Sequence, residues 1–213
     1  MFAALDFHLQ RRAYVFTGII EEVGTLVDRT EQGTSLRLQI EAEKVLADLK
    51  IDDSISVDGC CQTVIAKGAS VFEVIAVRET LLKTTLSSFA IGKLLNLERA
   101  ATLETRLGGH LVQGHIDGRG HVTRIVDLEG SWEYHFEIPE TLRKYLIPVG
   151  SIAINGVSLT IAGIEDRGLK TAIIPHTHAH TNFSSLRVGD EVNVEMDVVA
   201  KMVEQFVSRA KGE

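Results

Sequence analysis

At 213 residues, with 45% hydrophobic and 24% charged positions and three prolines, the chain can form one large domain or two of roughly 100 residues, and it holds no low-complexity stretch. A net charge of −7 without a basic cluster excludes a nucleic-acid backbone as partner and favours a small ligand. The only cysteines are the neighbours Cys60 and Cys61, which offer no disulfide framework and point to a reducing compartment, and no apolar run approaches a membrane span.

The first 14 residues contain Arg11-Arg12 but lack the apolar core of a secretory signal, and are expected to precede the domain proper, which opens at Val15-Phe16-Thr17-Gly18. Short strands then alternate with turn residues. Leu36, Leu38 and Ile40 alternate with Arg37, Gln39 and Glu41, the pattern of a half-buried strand. A short helix is expected over 41–49, with Val45, Leu46 and Leu49 on one side. Ser54 to Val57 reads as a strand, Asp58-Gly59 as a tight turn, and Cys61 to Ala66 as the returning strand. Val71 to Val77 is almost wholly apolar, as a core strand would be. After Arg78-Glu79-Thr80-Leu81, a loop is expected to lead to Gly92 and a last strand from Leu94 to Leu97.

The second half repeats this order. Ser151 to Ile161 matches Ser54 to Val64 at an offset of 97, as do Glu79-Thr80 with His176-Thr177 and Asn96-Leu97-Glu98 with Asn193-Val194-Glu195; Gly18-Ile19-Ile20 matches Gly114-His115-Ile116 at 96. Two all-β barrels of one topology, at 15–104 and 105–197, account for the pattern. After Asp197 the period changes: Val199, Met202, Val203, Phe206 and Val207 mark an amphipathic helix over 198–213. Its stripe must pack on its own barrel or on another subunit, and the second is the better reading because both barrels already have complete cores.

Chemistry gathers at the repeated turn. Cys61 precedes Thr63 by two residues and Ser158 precedes Thr160 likewise, so each pair faces one way. Cys60 matches Val157 and reads as core filling, which leaves Cys61 as the site-facing thiol. The run Gly108-Gly109-His110-Leu111-Val112-Gln113-Gly114-His115-Ile116-Asp117-Gly118 lets backbone approach a flat ligand closely. On spacing alone His110 and His115 are each either structural or functional, and His115 gains weight because it stands opposite the apolar Ile19. His176-Thr177-His178-Ala179-His180 would set three imidazoles on one strand face, yet no carboxylate or cysteine lies at ligand spacing, so no metal site is assigned. Asp197 is either a site carboxylate or the cap of the following helix.

Through these residues the chain resembles the α-chain type of riboflavin synthase, over nearly its whole length after Tyr14. The family's opening Met-Phe-Thr-Gly stands here as Val15-Phe16-Thr17-Gly18, and the runs Gly108 to Ile116 and Asn155-Gly156-Val157-Ser158-Leu159-Thr160 are highly specific to it. The resemblance implies two six-stranded Greek-key-like barrels, a cytoplasmic homotrimer assembled through the C-terminal helix, and lumazine synthase as an associated enzyme. It also implies a reaction without cofactor, in which two molecules of 6,7-dimethyl-8-ribityllumazine exchange a four-carbon unit to give riboflavin and 5-amino-6-ribitylaminouracil. The first barrel of one subunit would face the second barrel of its neighbour.

Site residues carry over by position. Gly18, Ile19, Ile20, Cys61, Gln62, Thr63, Ile75, Ala76, Val77, Arg78, Glu79 and Thr80 would line the first pocket, with Ser54 in support. His115, Ile116, Asp117, Ser158, Leu159, Thr160, Ala172, Ile173, Ile174, Pro175, His176 and Thr177 would line the second. Proton transfer is assigned to His115, Ser158 and Asp197, with Cys61 beside the opposite substrate. Three positions depart from the family: Gln62 for Leu, Asp58 for Asn, and Val149 for a Lys that contacts the second substrate. The rival reading is a non-catalytic lumazine- or flavin-binding protein on the same scaffold.

Overall fold

Alternating strands joined by tight turns close on themselves twice in the computed structural model, which describes residues 15–211. The first barrel comprises β1 (Glu22–Gln32), β2 (Ser35–Glu41), β3 (Ser54–Val57), β4 (Cys60–Lys67), β5 (Val71–Ala76) and β6 (Leu94–Arg99), hydrogen-bonded in the order β1-β2-β5-β4-β3-β6. The second comprises β7 (Gly118–Asp127), β8 (Trp132–Glu137), β9 (Ser151–Ile154), β10 (Val157–Glu165), β11 (Gly168–Ile173) and β12 (Glu191–Met196). Its ring runs β7-β8-β11-β10-β9-β12, the same antiparallel topology. The stretch 1–14, expected to precede the domain, lies outside the described residues.

Closure needs curvature, and each barrel takes it at matching bulges. Register shifts fall between Leu26 and Asp28 on β1 and between Val122 and Arg124 on β7, then between Val64 and Ala66 on β4 and between Ile161 and Gly163 on β10. Inward residues fill the interiors, with Leu26, Leu38, Ile40, Phe72 and Leu97 in the first core and Tyr134, Phe136, Ile152, Leu169 and Phe183 in the second. Asp58-Gly59 and Asn155-Gly156 all have positive φ, between 46° and 80°, as the mirror-image two-residue hairpin turn requires.

Three local expectations are corrected. The helix expected over 41–49 is a single 3-10 turn, Val45–Ala47, because Lys44 supplies no capping side chain and so short a segment cannot offset its nucleation cost. Val45, Leu46 and Leu49 are nevertheless buried together. The loop after Val77 contains helix α1 (Arg78–Lys83) and a 3-10 turn, Thr85–Ser88, which Thr84 joins: its hydroxyl donates to the Thr80 carbonyl and accepts from the Leu86 amide. The histidine run is not a strand but helix α3 (Pro175–His180), with proline at its start, where the missing N–H costs nothing. Helical spacing stacks His176 on His180 at 4.1 Å between ring centroids and sends His178 onto Trp132, so the three imidazoles do not share a face.

A one-turn helix, α2 (Glu140–Arg143), precedes β9, and α4 (Val198–Lys211) closes the chain. Helix α4 lies against its own barrel through Ala200, through Lys201, which pairs with Asp117 at 2.9 Å, and through Glu204, which pairs with Lys144 at 2.7 Å. Its apolar stripe faces outward: Val199, Met202, Val203, Phe206 and Val207 are 47–68% exposed in the single chain. No helix among the described residues is long and apolar enough to cross a membrane.

Candidate active site

The two barrels meet through a reciprocal set of contacts that the repeat dictates. Gly59 and Gly156 touch so closely that a Cβ on Gly59 would stand 2.6 Å from the Gly156 nitrogen, which is why both turns end in glycine. Around them, Asn96 donates from Nδ2 to the Asn155 carbonyl at 2.9 Å, and Asn193 donates from Nδ2 to the Asp58 carbonyl at 2.8 Å. Asp58 Oδ1 accepts from the Asn96 amide at 2.7 Å and from Asn182 Nδ2 at 2.9 Å, while Oδ2 is buried without a partner. Burial pushes the Asp58 carboxyl up to about 7, against the opposing pull of Lys93 and these hydrogen bonds.

The segments leading into β1 and β7 cross between the barrels. Phe16 and Val112 exchange both backbone hydrogen bonds, at 2.7 and 3.1 Å. The Gly18 carbonyl then accepts from the Ser158 amide at 2.8 Å, and the Gly114 carbonyl accepts from the Cys61 amide at 2.9 Å. Each segment is fastened by a buried carboxylate. Glu98 accepts from the Thr17 amide and hydroxyl and the Gly18 amide; Glu195 accepts from the Gln113 and Gly114 amides. Desolvation pushes both carboxyls up to about 7 in spite of these donors.

This crossing corrects the expected grouping of site residues. Gly18 and Ile20 lie with the second barrel, where Ile20 packs on the core and a Cβ on Gly18 would meet that of Ser158 at 2.6 Å, while Ile19 between them is exposed beside Gly108. His115 and Ile116 lie with the first barrel, whose core includes Ile116. The physical reason is that backbone groups at the edge of β4 and β10 need partners, and the nearest unpaired chain comes from the other half.

On the first barrel, Cys61 and Thr63 turn outward together, as alternation requires, while Cys60 is buried in the core. Ser54 hydrogen-bonds the Cys61 thiol, but burial dominates and pushes that thiol up, so it is a neutral group rather than a thiolate. Gln62 points inward, donating from Nε2 to the Cys61 carbonyl at 2.7 Å, so only its backbone can face a ligand. Ala76 is likewise buried, whereas Ile75 is half-buried and Val77, Arg78 and Glu79 are exposed, with Thr80 between. His115 is exposed and makes no hydrogen bond among the described residues.

On the second barrel, Ser158 and Thr160 face outward and Leu159 and Ile173 inward. Ala172, Ile174, Pro175 and His176 are exposed beside them, with Thr177 half-buried. The imidazole that reaches Ser158 is that of His110, not His115: Nδ1 lies 2.7 Å from the hydroxyl, and Nε2 is buried without a partner. The His110 backbone is fixed by donation to the Thr17 carbonyl at 3.1 Å. A side chain at Gly109 would meet that carbonyl at 2.2 Å and Ser158 Oγ at 2.7 Å, so only glycine brings His110 into place. Burial lowers the His110 pKa from the ordinary histidine value, and the Asp197 charge partly restores it. Asp197 also accepts from the Val199 amide at 2.8 Å, capping α4. Asp117 accepts from the Met196 amide and pairs with Lys201, so it holds the start of α4 rather than facing the Ser158 site.

In the tautomer with hydrogen on Nε2, the neutral His110 can accept a proton from Ser158, and the Asp197 charge would favour the resulting cation. The arrangement can move a proton at a ligand beside Ser158, and the matching position on the first barrel has the Cys61 thiol in place of the hydroxyl. Sequence reasoning left His110 undecided because its partner is distant in the chain; the dense glycines beside it were the available signal.

Two copies of one outward-facing ligand site on a duplicated barrel define a tandem ligand-binding class. The model of the lumazine binding domain matches twice, at residues 17–100 and 113–197. Riboflavin synthase of Actinobacillus pleuropneumoniae is 41% identical over 91% of this chain and 90% of its own, and that of Bacillus subtilis (strain 168) is 39% identical over 92% and 91%. Among solved structures, LumP complexed with riboflavin superimposes with a TM-score of 0.80 at 26% identity, over 85% of this chain and 98% of LumP. LumP complexed with 6,7-dimethyl-8-(1'-D-ribityl) lumazine gives 0.78 with the same coverage. The chain belongs to the riboflavin synthase family of tandem lumazine-binding-domain proteins.

Proposed function

We infer that this chain catalyses the riboflavin synthase reaction, in which one 6,7-dimethyl-8-ribityllumazine donates a four-carbon unit to another, giving riboflavin and 5-amino-6-ribitylaminouracil. The observation that carries this reading is the His110–Ser158 pair at 2.7 Å with Asp197 close by, a proton-handling group that ligand binding alone does not need. The lumazine ring delocalises the carbanion left when its C7 methyl loses a proton, so side chains need only move protons and hold two rings in register. Such orientation is worth roughly 7 to 11 kcal/mol.

Ser158, Thr160, Gly18–Ile20 and 172–177 form one substrate pocket in this reading, and Cys61, Thr63, Ser54, His115–Ile116 and 75–80 the other. His110, Ser158 and Asp197 handle protons at the first of these. The exposed stripe on α4 supports a homotrimer in which unlike pockets of neighbouring chains face each other. The domain division at 15–104, 105–197 and 198–213 follows from the same picture. Free, adjacent cysteines suit a reducing cytoplasm, where lumazine synthase would be the natural associate.

Non-catalytic binding of lumazine or flavin is the second reading, favoured by the likeness to LumP. Incubation of the purified protein with 6,7-dimethyl-8-ribityllumazine alone separates the two. Growth of riboflavin absorbance is the expected result; a bound, unchanged lumazine would overturn the enzymatic reading.

A further inference from the structure

The two pockets share a scaffold but differ in how their rim helices are fastened. Helix α1 forms the rim of the first pocket, and its last carbonyls lack intrahelical partners. Arg119, on strand β7 of the other barrel, donates from Nη2 to the Leu81 carbonyl at 3.0 Å and reaches the Leu82 carbonyl and Ser87 Oγ at 3.4 Å. Its Nη1 lies 3.7 Å from Glu191 Oε2 on β12, which holds the guanidinium in place. A cation at this end of a helix meets both the orphan acceptors and the negative end of the helix dipole.

Helix α3, the matching rim of the second pocket, has no such donor among the described residues, where the position equivalent to Arg119 is Val23. Only the turn after it is tied to the first barrel, through Asn182 to Asn96 and Asp58, and the helix itself is packed within its own barrel, where the His178 ring stacks on Trp132 at 3.8 Å and 10°. The first half has Leu36 and Leu81 at those two positions, which cannot stack. The carbonyl end of one rim helix is therefore clamped across barrels by a charged donor, while the other helix is packed within its barrel by aromatic contact.

Resting on the reading of the pockets as two sites of one reaction, we propose that Arg119 is a positioning residue that fixes the first pocket's rim from the second barrel. A reaction in which one of two identical molecules gives carbon and the other receives it requires sites that differ. Both pockets lean on the inter-barrel junction, but only the carbonyl end of α1 is held across it by a charged side chain, Arg119.

The test uses the full chain with Arg119→Gln, Arg119→Lys and His178→Ala. Amide exchange across 81–88 should quicken about tenfold in Arg119→Gln, as loss of a charge-assisted hydrogen bond implies, while 178–185 stays unchanged. Titration with riboflavin should show one class of sites weakened about tenfold, a different class from the one weakened by His178→Ala, with Arg119→Lys restoring most of the loss. A merely structural arginine would weaken both classes together and lower the melting temperature in step. Equal weakening of both classes, or unchanged exchange across 81–88, overturns the proposal. Exchange is read without ligand, so it decides the clamp even where the wild type makes no riboflavin from lumazine, the result that would sink the enzymatic reading instead.

Discussion

His110 takes its chemistry from its surroundings. It is only 8% exposed, its Nδ1 meets Ser158, and burial keeps it neutral, the form that accepts a proton. We expect His110→Gln and Ser158→Ala each to lower turnover by about 10² to 10⁴, the usual range for a positioned acid or base, with small effect on the melting temperature. His115→Gln, at the other pocket, should cost less. A larger loss in His115→Gln than in His110→Gln would reverse the assignment.

Asp58 is the residue with the clearest pH signature. Its folded carboxyl titrates at about 7 against 3.8 when free, so the fold binds its proton more tightly than the unfolded chain does. Its contribution is therefore greatest below the unfolded value and is lost as pH rises towards about 7. Glu98 and Glu195, also pushed up to about 7, act with the same sign. Asp58→Asn keeps the acceptor and replaces the stranded Oδ2 with an amide, as Asn155 does at the matching turn. Its stability advantage over the wild type should widen by about 2 kcal/mol between pH 5 and pH 8, measured by chemical unfolding. A constant gap would mean that Asp58 is ionised in the fold throughout.

At the scale of elements, the lead-in to β9 stores local strain. Val149 has φ 61° and is 82% exposed, a β-branched residue in the left-handed region with no packing to compensate it. The matching Asp52, at φ 71°, tolerates that conformation better. Val149→Asn should raise stability by about 1 kcal/mol, seen as a higher melting temperature; no gain would locate compensating contacts outside the single chain. The rim helices α1 and α3 show the opposite lesson. Six residues are too few to display a helical period, so neither was visible in the sequence, and tertiary fastening by Arg119 or Trp132 stabilises them instead.

Across the whole molecule, α4 turns its polar side to its barrel and its apolar side to solvent, the reverse of a helix completing its own domain. Replacing Val203 and Phe206 with glutamate leaves the Lys201–Asp117 and Glu204–Lys144 pairs intact. In the trimeric reading, light scattering should give a lower mass for this variant, and turnover should fall with it because unlike pockets of neighbouring chains no longer meet. An unchanged mass with full turnover would confine the reaction to one chain.

Residue order by itself determined the duplication, the strand-and-turn grammar of both barrels, and the outward direction of Cys61, Thr63, Ser158 and Thr160, because period-two alternation and Asp-Gly or Asn-Gly turns are local properties. The amphipathic stripe of α4 was legible for the same reason. Only the tertiary structure decided that Gly18 serves Ser158, that Gly114 serves Cys61, and that His110 rather than His115 meets the serine hydroxyl. Those contacts join the two halves across their common junction, between residues far apart in the chain, where edge hydrogen bonds and close-packed glycines, not periodicity, select the partner.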